Sequence, residues 1–290
     1  MYTRRDFTWI TLASLRVPGA LAAGKPNSRV AGVQIGAQSY SFRAMPLDDA
    51  IKAMTEIGLS ECELWQGHVE PQQQGRGEQA REQLRKWRLD TAMDYFRDIG
   101  KKWRTAGINL YAYNYSFRDD FTDAEINRGF EIAKGLGAKV ITASSTVSVS
   151  KRVARYAEAN RMMVGMHGHD NVQDPNEFAT PESFEAAIKE SKWIGVNLDI
   201  GHFTAAGYDP AEYIDKYHDR IVTLHIKDRK KNHGANMSFG EGDTNIKGVL
   251  QLLKTKKYKI PANIEYEYNG PRDPKAEVTK CYEFCKQALA

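Results

Sequence analysis

The sequence predicts an α/β protein of the (β/α)8, or TIM, barrel class, folded as a single domain. Short apolar runs alternate eight times with segments of helical periodicity, and the 290-residue chain is close to the roughly 250 residues typical of such barrels. The competing architecture is a doubly wound open sheet, whose nucleotide-binding version requires a glycine-rich turn after the first strand. The first apolar run here continues into QSYSFRAMP instead, which favours the barrel.

Eight apolar runs of strand length are predicted to form the barrel wall. They are GVQIGAQSY (32–40), ECELWQ (61–66), INLYAYNY (108–115), KVITASS (139–145), MVGMHGH (163–169), GVNLDIG (195–201), IVTLHIKD (221–228) and ANIEYEY (262–268).

The segments between these runs have helical spacing, with Asp, Thr or Asn at several starts and Gly at several ends. Examples are LDDAIKAMTEIG, DAEINRGFEIAKGLG, TPESFEAAIKES and NIKGVLQLLKTKK. The longest connection, residues 67–107, is polar and long enough for two helices. We expect it to form an elaboration over one side of the barrel mouth.

The first 22 residues are predicted to be an export signal, with residues 23–290 forming the barrel. The paired arginines Arg4 and Arg5 precede a mostly apolar stretch, and residues 20–22 (ALA) fit a cleavage site, so the segment resembles a twin-arginine signal. An amphipathic N-terminal helix is the alternative. The signal predicts a periplasmic or secreted protein.

Composition excludes several classes of partner. The net charge of +4 is spread along the chain and falls to +2 without the predicted signal, so there is no basic stripe for nucleic acid. Beyond the signal, no segment approaches the roughly 20 apolar residues of a membrane span.

Cys62, Cys281 and Cys285 make a poor disulfide framework and are predicted to be free thiols. Homo-oligomerisation is left open.

Polar side chains share one face at the carboxyl ends of the last four predicted strands, where barrel enzymes place their chemistry. Alternation along a strand puts the apolar neighbours on the opposite, helix-facing side. The residues predicted to face the interior are His167, His169, Asn197, Asp199, Thr223, His225, Lys227, Asn263, Glu265 and Glu267.

Four of these residues are predicted to bind a metal ion: His167, Asp199, His225 and Glu265. Taken singly, each could be a hydrogen-bonded polar residue at a strand end. Together, four buried polar groups on consecutive strands would be costly without a common partner, which a metal supplies. The mixed nitrogen and oxygen set suits a divalent ion of the Mn, Co, Zn or Fe type better than Mg or Ca.

The chain resembles the xylose isomerase-like barrel superfamily, which includes sugar phosphate isomerases and epimerases, lyases and endonuclease IV. The motifs that carry the resemblance are CELWQGH, HGHDN, DIGH, LHIKDR, GEGDTNI and IEYE, in that order along the chain. In epimerase-like members the metal ligands fall at positions matching the four residues above. The resemblance also implies that His202 contacts substrate and that Arg229 lies near a substrate-binding arginine.

One departure from this family concerns His167, where the epimerases carry a glutamate that works with the eighth-strand glutamate as an acid/base pair. Without that pair, the catalytic base is expected among Glu265, Glu267, His169, Glu63 and His68. The His-x-His variant resembles a secreted branch that contains lyases or hydrolases of 3-keto-glycosides.

The leading hypothesis is a metal-dependent sugar isomerase- or epimerase-like enzyme that removes a proton next to a sugar carbonyl, through an enediolate. A lyase or hydrolase of 3-keto-glycosides and a non-catalytic exported sugar-binding barrel are the alternatives, whereas an abasic-DNA endonuclease would need more ligands on the early strands. The expected partner is a small sugar or keto-sugar, and phosphate recognition is less favoured. Catalytic roles are predicted for Glu265, His169, His202 and Glu63, and substrate contacts for His68, Trp65, Arg229, Lys227 and Glu267.

Overall fold

Eight parallel strands close into a barrel in the computed structural model, which describes residues 25–73, 75, 77–268 and 273–290. The predicted export signal lies outside these residues. The wall is formed by β2 (Val33–Gln38), β3 (Glu61–Trp65), β4 (Asn109–Asn114), β5 (Val140–Ala143), β6 (Val164–His167), β7 (Ile194–Asp199), β8 (Ile221–Ile226) and β11 (Ala262–Ile264).

Each wall strand pairs in parallel with its neighbours, and β11 and β3 both pair with β2 to close the circle. Short β1 (Arg29–Val30) adds to β2 in antiparallel fashion, and β9 (Asp228–Arg229) pairs with β10 (Asn236–Met237) beyond β8. All eight predicted strands are confirmed, each shorter than the apolar run that predicted it.

Helices cover the outside of the wall, as the fold class requires. They are α1 (Leu47–Ile57), α2 (Glu78–Asp90), α3 (Met93–Thr105), α4 (Asp123–Leu136), α5 (Ser150–Asn160), α6 (Pro181–Glu190), α7 (Ile200–Ala205), α8 (Pro210–Tyr217), α9 (Ile246–Lys256) and α10 (Pro274–Leu289).

The predicted capping signals operate at α4. Thr122 and Glu125 form a reciprocal capping box at its start, and Gly137 ends it in the left-handed region with φ 83°. The long 67–107 connection contains two helices, α2 and α3, and both pack against α4.

The predicted alternation of strand faces is present in the last strands. Val164, Met166, Val196, Leu198 and Leu224 are completely buried between the wall and the helices. The polar residues between them point into the barrel, so the interior carries hydrogen-bonding groups up to its carboxyl-terminal mouth.

The three cysteines are buried free thiols, as predicted. Among the helices that the structure describes, none is both long and apolar enough to cross a membrane.

Candidate metal centre and active site

The four predicted metal ligands converge at the carboxyl-terminal mouth of the barrel. One nitrogen or oxygen from each of His167, Asp199, His225 and Glu265 lies within 4.8 Å of the other three, and all four side chains are buried. His225 Nδ1 is 2.9 Å from Glu265 Oε2, and His167 Nε2 is 3.6 Å from Asp199 Oδ2. We call these four residues the metal cluster.

Strand register and a helix start set the positions of these ligands. Asp199 and His225 are direct partners across the β7–β8 ladder, and Glu265 immediately follows β11, the strand on the other side of β8. Asp199 is also the N-cap of α7, because its Oδ1 accepts a hydrogen bond from the backbone N–H of His202 at 2.8 Å. The cap holds the carboxylate so that Oδ2 faces the cluster.

Steric crowding explains why glycine occupies position 168, between the two histidines. A Cβ at this position would lie 2.5 Å from the carbonyl oxygen of Phe178 and 2.6 Å from the ring of Phe184. The adjacent His169 N–H donates to that same carbonyl at 3.0 Å. Glycine therefore allows the chain to turn closely past Phe178 while both imidazoles stay at the mouth, with ring centroids 5.0 Å apart.

Glu63 contacts the ring nitrogen of His225 that points away from the metal cluster. Its Oε2 lies 3.0 Å from His225 Nε2, while its Oε1 accepts hydrogen bonds from Thr142 Oγ1 at 2.6 Å and Gln38 Nε2 at 3.0 Å. A carboxylate on the far nitrogen of a histidine fixes the ring orientation and leaves the near nitrogen free for a metal. Glu63 is completely buried, which favours a positioning role, and its catalytic role stays a prediction.

Ser144 makes the equivalent contact to His167, with its Oγ 3.2 Å from His167 Nδ1. Neither Ser144 nor Thr142 was expected from the sequence, because a small hydroxyl residue near a strand end carries no distinctive signal. With Glu63, these residues form an outer layer that orients two of the four candidate ligands.

Lys227 lies against the metal cluster. Its Nζ is 2.9 Å from Asp199 Oδ2, 2.8 Å from Glu265 Oε2 and 2.5 Å from Glu267 Oε2. Burial alone would lower the pKa of the Lys227 ammonium, but Asp199 and Glu265 outweigh burial and raise it above its ordinary value. Lys227 therefore stays protonated and offsets part of the carboxylate charge.

The candidate ligands share this charge balance. Burial opposes the charged form of Asp199 and Glu265, but nearby cations, Lys227 and His225 respectively foremost among them, lower the pKa of each carboxyl. Burial would likewise lower the pKa of His225, which the carboxylates of Glu265 and Glu63 instead raise well above its usual value.

His169 lies at the mouth beside the cluster and is partly exposed. Its Nδ1 is 3.1 Å from Glu177 Oε1, a contact that holds the proton on Nδ1 and leaves Nε2 as an acceptor. Burial, followed by the nearby His167 and His202, lowers the pKa of His169 to about 3, so the ring is neutral at neutral pH.

His202 bridges the cluster and a second group of charges at the rim. Its Nε2 is 3.0 Å from Lys227 Nζ, and its Nδ1 is 3.4 Å from Asp170 Oδ1. Arg229 also pairs with Asp170, at 2.8 Å, and donates to the carbonyl of Gly234. Hydrogen bonding to His202 and then to Arg229 lowers the pKa of Asp170.

A cavity of about 300 Å³ opens over the metal cluster, and we call it the metal cavity. Its volume is at the lower end of the range for small-molecule sites. Of the residues predicted to meet substrate, Trp65, His169, His202, Lys227, Glu265 and Glu267 line it. Asn114, Ser116 and Ser144 also line it and were not predicted.

His68 and Arg229 do not line the metal cavity, and their prediction as substrate contacts stays a prediction. The two ring nitrogens of His68 lie 2.9 Å from Ser39 Oγ and 3.2 Å from the carbonyl oxygen of Met45, so the ring braces the turn after β3. Arg229 pairs with Asp170, donates to the carbonyl of Gly234 and contacts Nδ1 of His202, which does line the cavity.

The metal cluster fits a bound cation. His167 Nε2, Asp199 Oδ2, His225 Nδ1 and Glu265 Oε2 are all buried. Among the described residues, each lacks a hydrogen-bond partner beyond the ion-pair contacts within the cluster and with Lys227 and His202. Ligands around a tetrahedral zinc lie roughly 3.4 Å apart, which falls within the observed spread of distances.

A closed parallel barrel with helices between its strands and a polar site at their carboxyl ends defines the class of this protein as a (β/α)8 barrel. Residues 51–287 match the family model described as xylose isomerase-like TIM barrel. The chain belongs to this family.

Among curated proteins, L-ribulose-5-phosphate 3-epimerase UlaE of Escherichia coli is 32% identical over 98 residues, which cover 34% of each chain. A UlaE protein of Shigella dysenteriae is 25% identical over 200 residues, covering 69% of this chain and 62% of that protein. The chain therefore matches between about a third and three fifths of the length of these relatives.

Solved structures give the same fold. A sugar phosphate isomerase/epimerase from Parabacteroides distasonis superposes with a TM-score of 0.62 at 18% identity, covering 89% of this chain and 95% of that one. The IolI protein, solved with a zinc atom, has a TM-score of 0.64 at 15% identity and covers 89% of this chain and 98% of its own.

Proposed function

We propose that this protein is a metal-dependent enzyme that removes a proton from the carbon next to a sugar carbonyl. The observation that carries the proposal is the metal cluster, whose four buried ligand atoms converge beneath a cavity that also holds ionisable groups. Among the described residues, these atoms have no hydrogen-bond partner beyond the ion-pair contacts within the cluster and with Lys227 and His202. The sugar isomerases and epimerases among its relatives support this reaction class.

His167, Asp199, His225 and Glu265 would hold the ion, of the Mn, Co, Zn or Fe type. Bound there, a divalent cation supplies Lewis-acid stabilisation of the negative charge that develops on the sugar oxygens. Glu63 and Ser144 keep the two imidazoles aligned for this role.

We assign the proton-accepting step to His169. Glu177 contacts Nδ1 and His169 lines the cavity, so Nε2 is the nitrogen that can take a proton from a sugar carbon. An orienting carboxylate on the far nitrogen of a base is a common device for keeping the reactive tautomer.

His167 replaces the carboxylate that epimerase relatives are expected to use opposite the eighth-strand glutamate. Among the described residues, the cavity therefore lacks the symmetric pair of carboxylates across the sugar, and we propose that the proton is taken and returned by unlike groups. Lys227 and Glu267 are available near Glu265 to hold sugar hydroxyls.

An unphosphorylated sugar fits this site better than a sugar phosphate. The GEGDTN loop after β8 is the candidate phosphate cradle, but the side chain of Asp228 accepts hydrogen bonds from its backbone N–H groups at Gly240, Gly242 and Thr244. With the Asp228 carboxylate in that position, these three N–H groups are not available to an anion.

The test is proton exchange in deuterated water. Protein loaded separately with Mn, Co, Zn or Fe is incubated with free ketoses and with 3-keto-glycosides, and deuterium next to the carbonyl is followed by NMR. We expect incorporation that depends on the metal. Loaded protein that binds sugars without incorporating label or forming product would instead indicate a sugar-binding barrel.

A further inference from the structure

A second cavity adjoins the metal cavity on the side of the long connection that contains α2. Its volume is about 770 Å³, more than twice that of the metal cavity. It is lined by the turn after β2, the segment from Trp65 to Gln73, one face of α2 and the segment after β4. The reaction proposed above makes no use of this cavity.

The wall between the two cavities is thin. The Trp65 side chain lines both of them, and its ring contacts Tyr40 on one side and His68 on the other, with centroids 5.0 and 5.5 Å apart. Beside it, Gln66 of the second cavity accepts a hydrogen bond from the backbone N–H of Ser116, which lines the metal cavity. A ligand that crosses Trp65 would therefore enter both spaces.

The lining of the second cavity is suited to a hydroxylated ring. Trp65 offers an aromatic ring, and Gln72 and Gln73 offer planar amides that can donate and accept hydrogen bonds. These are the side chains that pack on one face of a sugar and hydrogen-bond to its hydroxyls.

Two arginines of the second cavity are available to a ligand. Arg88 is committed to Glu70, and Arg85 to Glu125, but Arg43 and Arg118 have no acidic partner among the described residues. Arg43 instead donates to the backbone carbonyl of Tyr266 and lies over the ring of Tyr40. Guanidinium groups of this kind can donate paired hydrogen bonds to vicinal oxygens.

We propose that the substrate is glycosylated: the sugar that loses a proton lies in the metal cavity, and a second sugar ring linked to it lies in the second cavity beyond Trp65. This inference rests on the proposed function for the identity of the first ring. Contacts to the second ring hold the reacting carbon in position, which is how remote binding energy contributes to catalysis.

The test compares two sugars on metal-loaded protein. Fructose is the free ketose, and lactulose is the same ketose carrying a further sugar. Binding is measured by saturation-transfer NMR and titration, and exchange in deuterated water gives KM for each. We expect lactulose to bind at least tenfold more tightly than fructose.

A substitution that fills the second cavity tests whether the second sugar ring binds there. Leu84 lines the second cavity, so Leu84→Trp is expected to bring the fructose-to-lactulose affinity ratio close to one. Leu89→Trp is the matched control, because Leu89 lies on the same helix, is 38% exposed and is not part of the lining. This control should keep the wild-type ratio. If Leu84→Trp does not fold, Arg118→Ala on the exposed rim takes its place, with a smaller loss of the ratio expected.

Equal affinities for the two sugars in the wild-type protein, or a ratio that Leu84→Trp and Arg118→Ala leave intact, would overturn the inference. The proposed function fails separately, if no ketose exchanges its proton in loaded protein. In that case, tighter lactulose binding that Leu84→Trp removes and Leu89→Trp keeps would still support the second cavity as a sugar site.

Discussion

Two clusters of buried charge lie near the carboxyl-terminal mouth of this barrel, and they are satisfied in opposite ways. The first is the ion-pair cluster, which consists of Glu70, Arg85, Arg88 and Glu125. Each of its charges is paired with an opposite charge of the same cluster. Arg88 binds both oxygens of Glu70 at 2.7 and 2.9 Å, and Arg85 binds Glu125 at 2.6 Å. The metal cluster instead aims four atoms at one point and leaves them without hydrogen-bond partners among the described residues, apart from its ion-pair contacts.

This difference indicates that the ion-pair cluster stabilises the fold, whereas the metal cluster binds a ligand. Buried polar groups in native proteins are nearly always paired, so a group of unpaired ones needs an explanation, such as a ligand. Paired charges in the ion-pair cluster fix the position of α2 against α4 and shape the floor of the second cavity. Changes in the metal cluster should therefore affect metal and turnover, and changes in the ion-pair cluster should affect stability.

The largest effect is expected for Asp199→Ala, which removes a candidate ligand and the α7 cap together. Asp199→Asn separates the two roles, because an amide oxygen can still accept from the His202 N–H. Both variants should lose bound metal and lower turnover by more than about a thousandfold, the scale of a lost Lewis acid worth several kcal/mol. Metal content is measured by elemental analysis. Full occupancy in Asp199→Asn, or likewise in His225→Ala, would refute the ligand assignment.

Arg88→Ala should be the most destabilising change in the ion-pair cluster. It leaves the buried carboxylate of Glu70 without its partner, which typically costs about 3–5 kcal/mol in the free energy of unfolding. Arg81→Ala is the matched control on the same helix, because its pair with Asp120 is about half exposed and worth at most about 1 kcal/mol. Urea unfolding measures both. Metal loss from folded Arg88→Ala would contradict the separation of the two clusters.

His169→Ala tests the proton-accepting step without touching a candidate ligand. We expect the variant to keep its metal and to lower turnover by about a hundredfold, the scale of lost general-base help. Glu177→Gln should lower turnover less, because it weakens only the orientation of the ring. Loss of metal in His169→Ala combined with retention in His167→Ala would show that the two histidines have exchanged roles.

Glu63→Gln probes the outer layer of the metal cluster. The amide can still occupy the space and accept from Thr142 and Gln38, but it no longer offers a charge to His225. Metal affinity should fall by about 10- to 100-fold, as is typical when such an outer partner is changed. Competition with a chelator gives this affinity. Unchanged affinity together with lost turnover would return Glu63 to the role of catalytic base.

The sequence predicts the fold and the metal cluster because both depend on local alternation. A strand has a period of two, so the parity of His167, Asp199, His225 and Glu265 follows once the strands are found. Glu63 also has the interior parity, but its depth depends on the stagger between strands. That stagger is a property of the closed barrel and places Glu63 against His225 rather than in the lining of the metal cavity.

Other parts of the site have no local signal. His68 follows β3 in a short 3-10 turn, Gln66–His68, which rotates its ring away from the metal cavity. Arg88 and Glu125 are 37 residues apart and meet only because α2 packs on α4. Long-range pairings of this kind depend on tertiary packing, so the ion-pair cluster and the second cavity become visible only in the structure.

The smallest effect on metal content and turnover is expected for Glu61→Gln, at the opposite, amino-terminal end of the barrel. Glu61 is a buried carboxylate with one oxygen unpaired among the described residues, yet it lies alone rather than in a converging set. Burial raises the pKa of Glu61 to about 7. Because this folded-state pKa exceeds the unfolded value near 4.5, the native state holds the proton more strongly, and stability falls as pH rises from about 4.5 to 7.

Glu61→Gln removes this penalty, so the variant should be more stable than the wild type by about 3 kcal/mol at pH 8, with the two unfolding free energies converging below pH 4.5. Urea unfolding across this pH range measures the difference. Metal content and turnover should be unchanged, because the amino-terminal end of such a barrel serves stability rather than chemistry. A loss of turnover in Glu61→Gln would show that a single unpaired buried carboxylate can mark function here, so that convergence of several such groups is not the deciding feature.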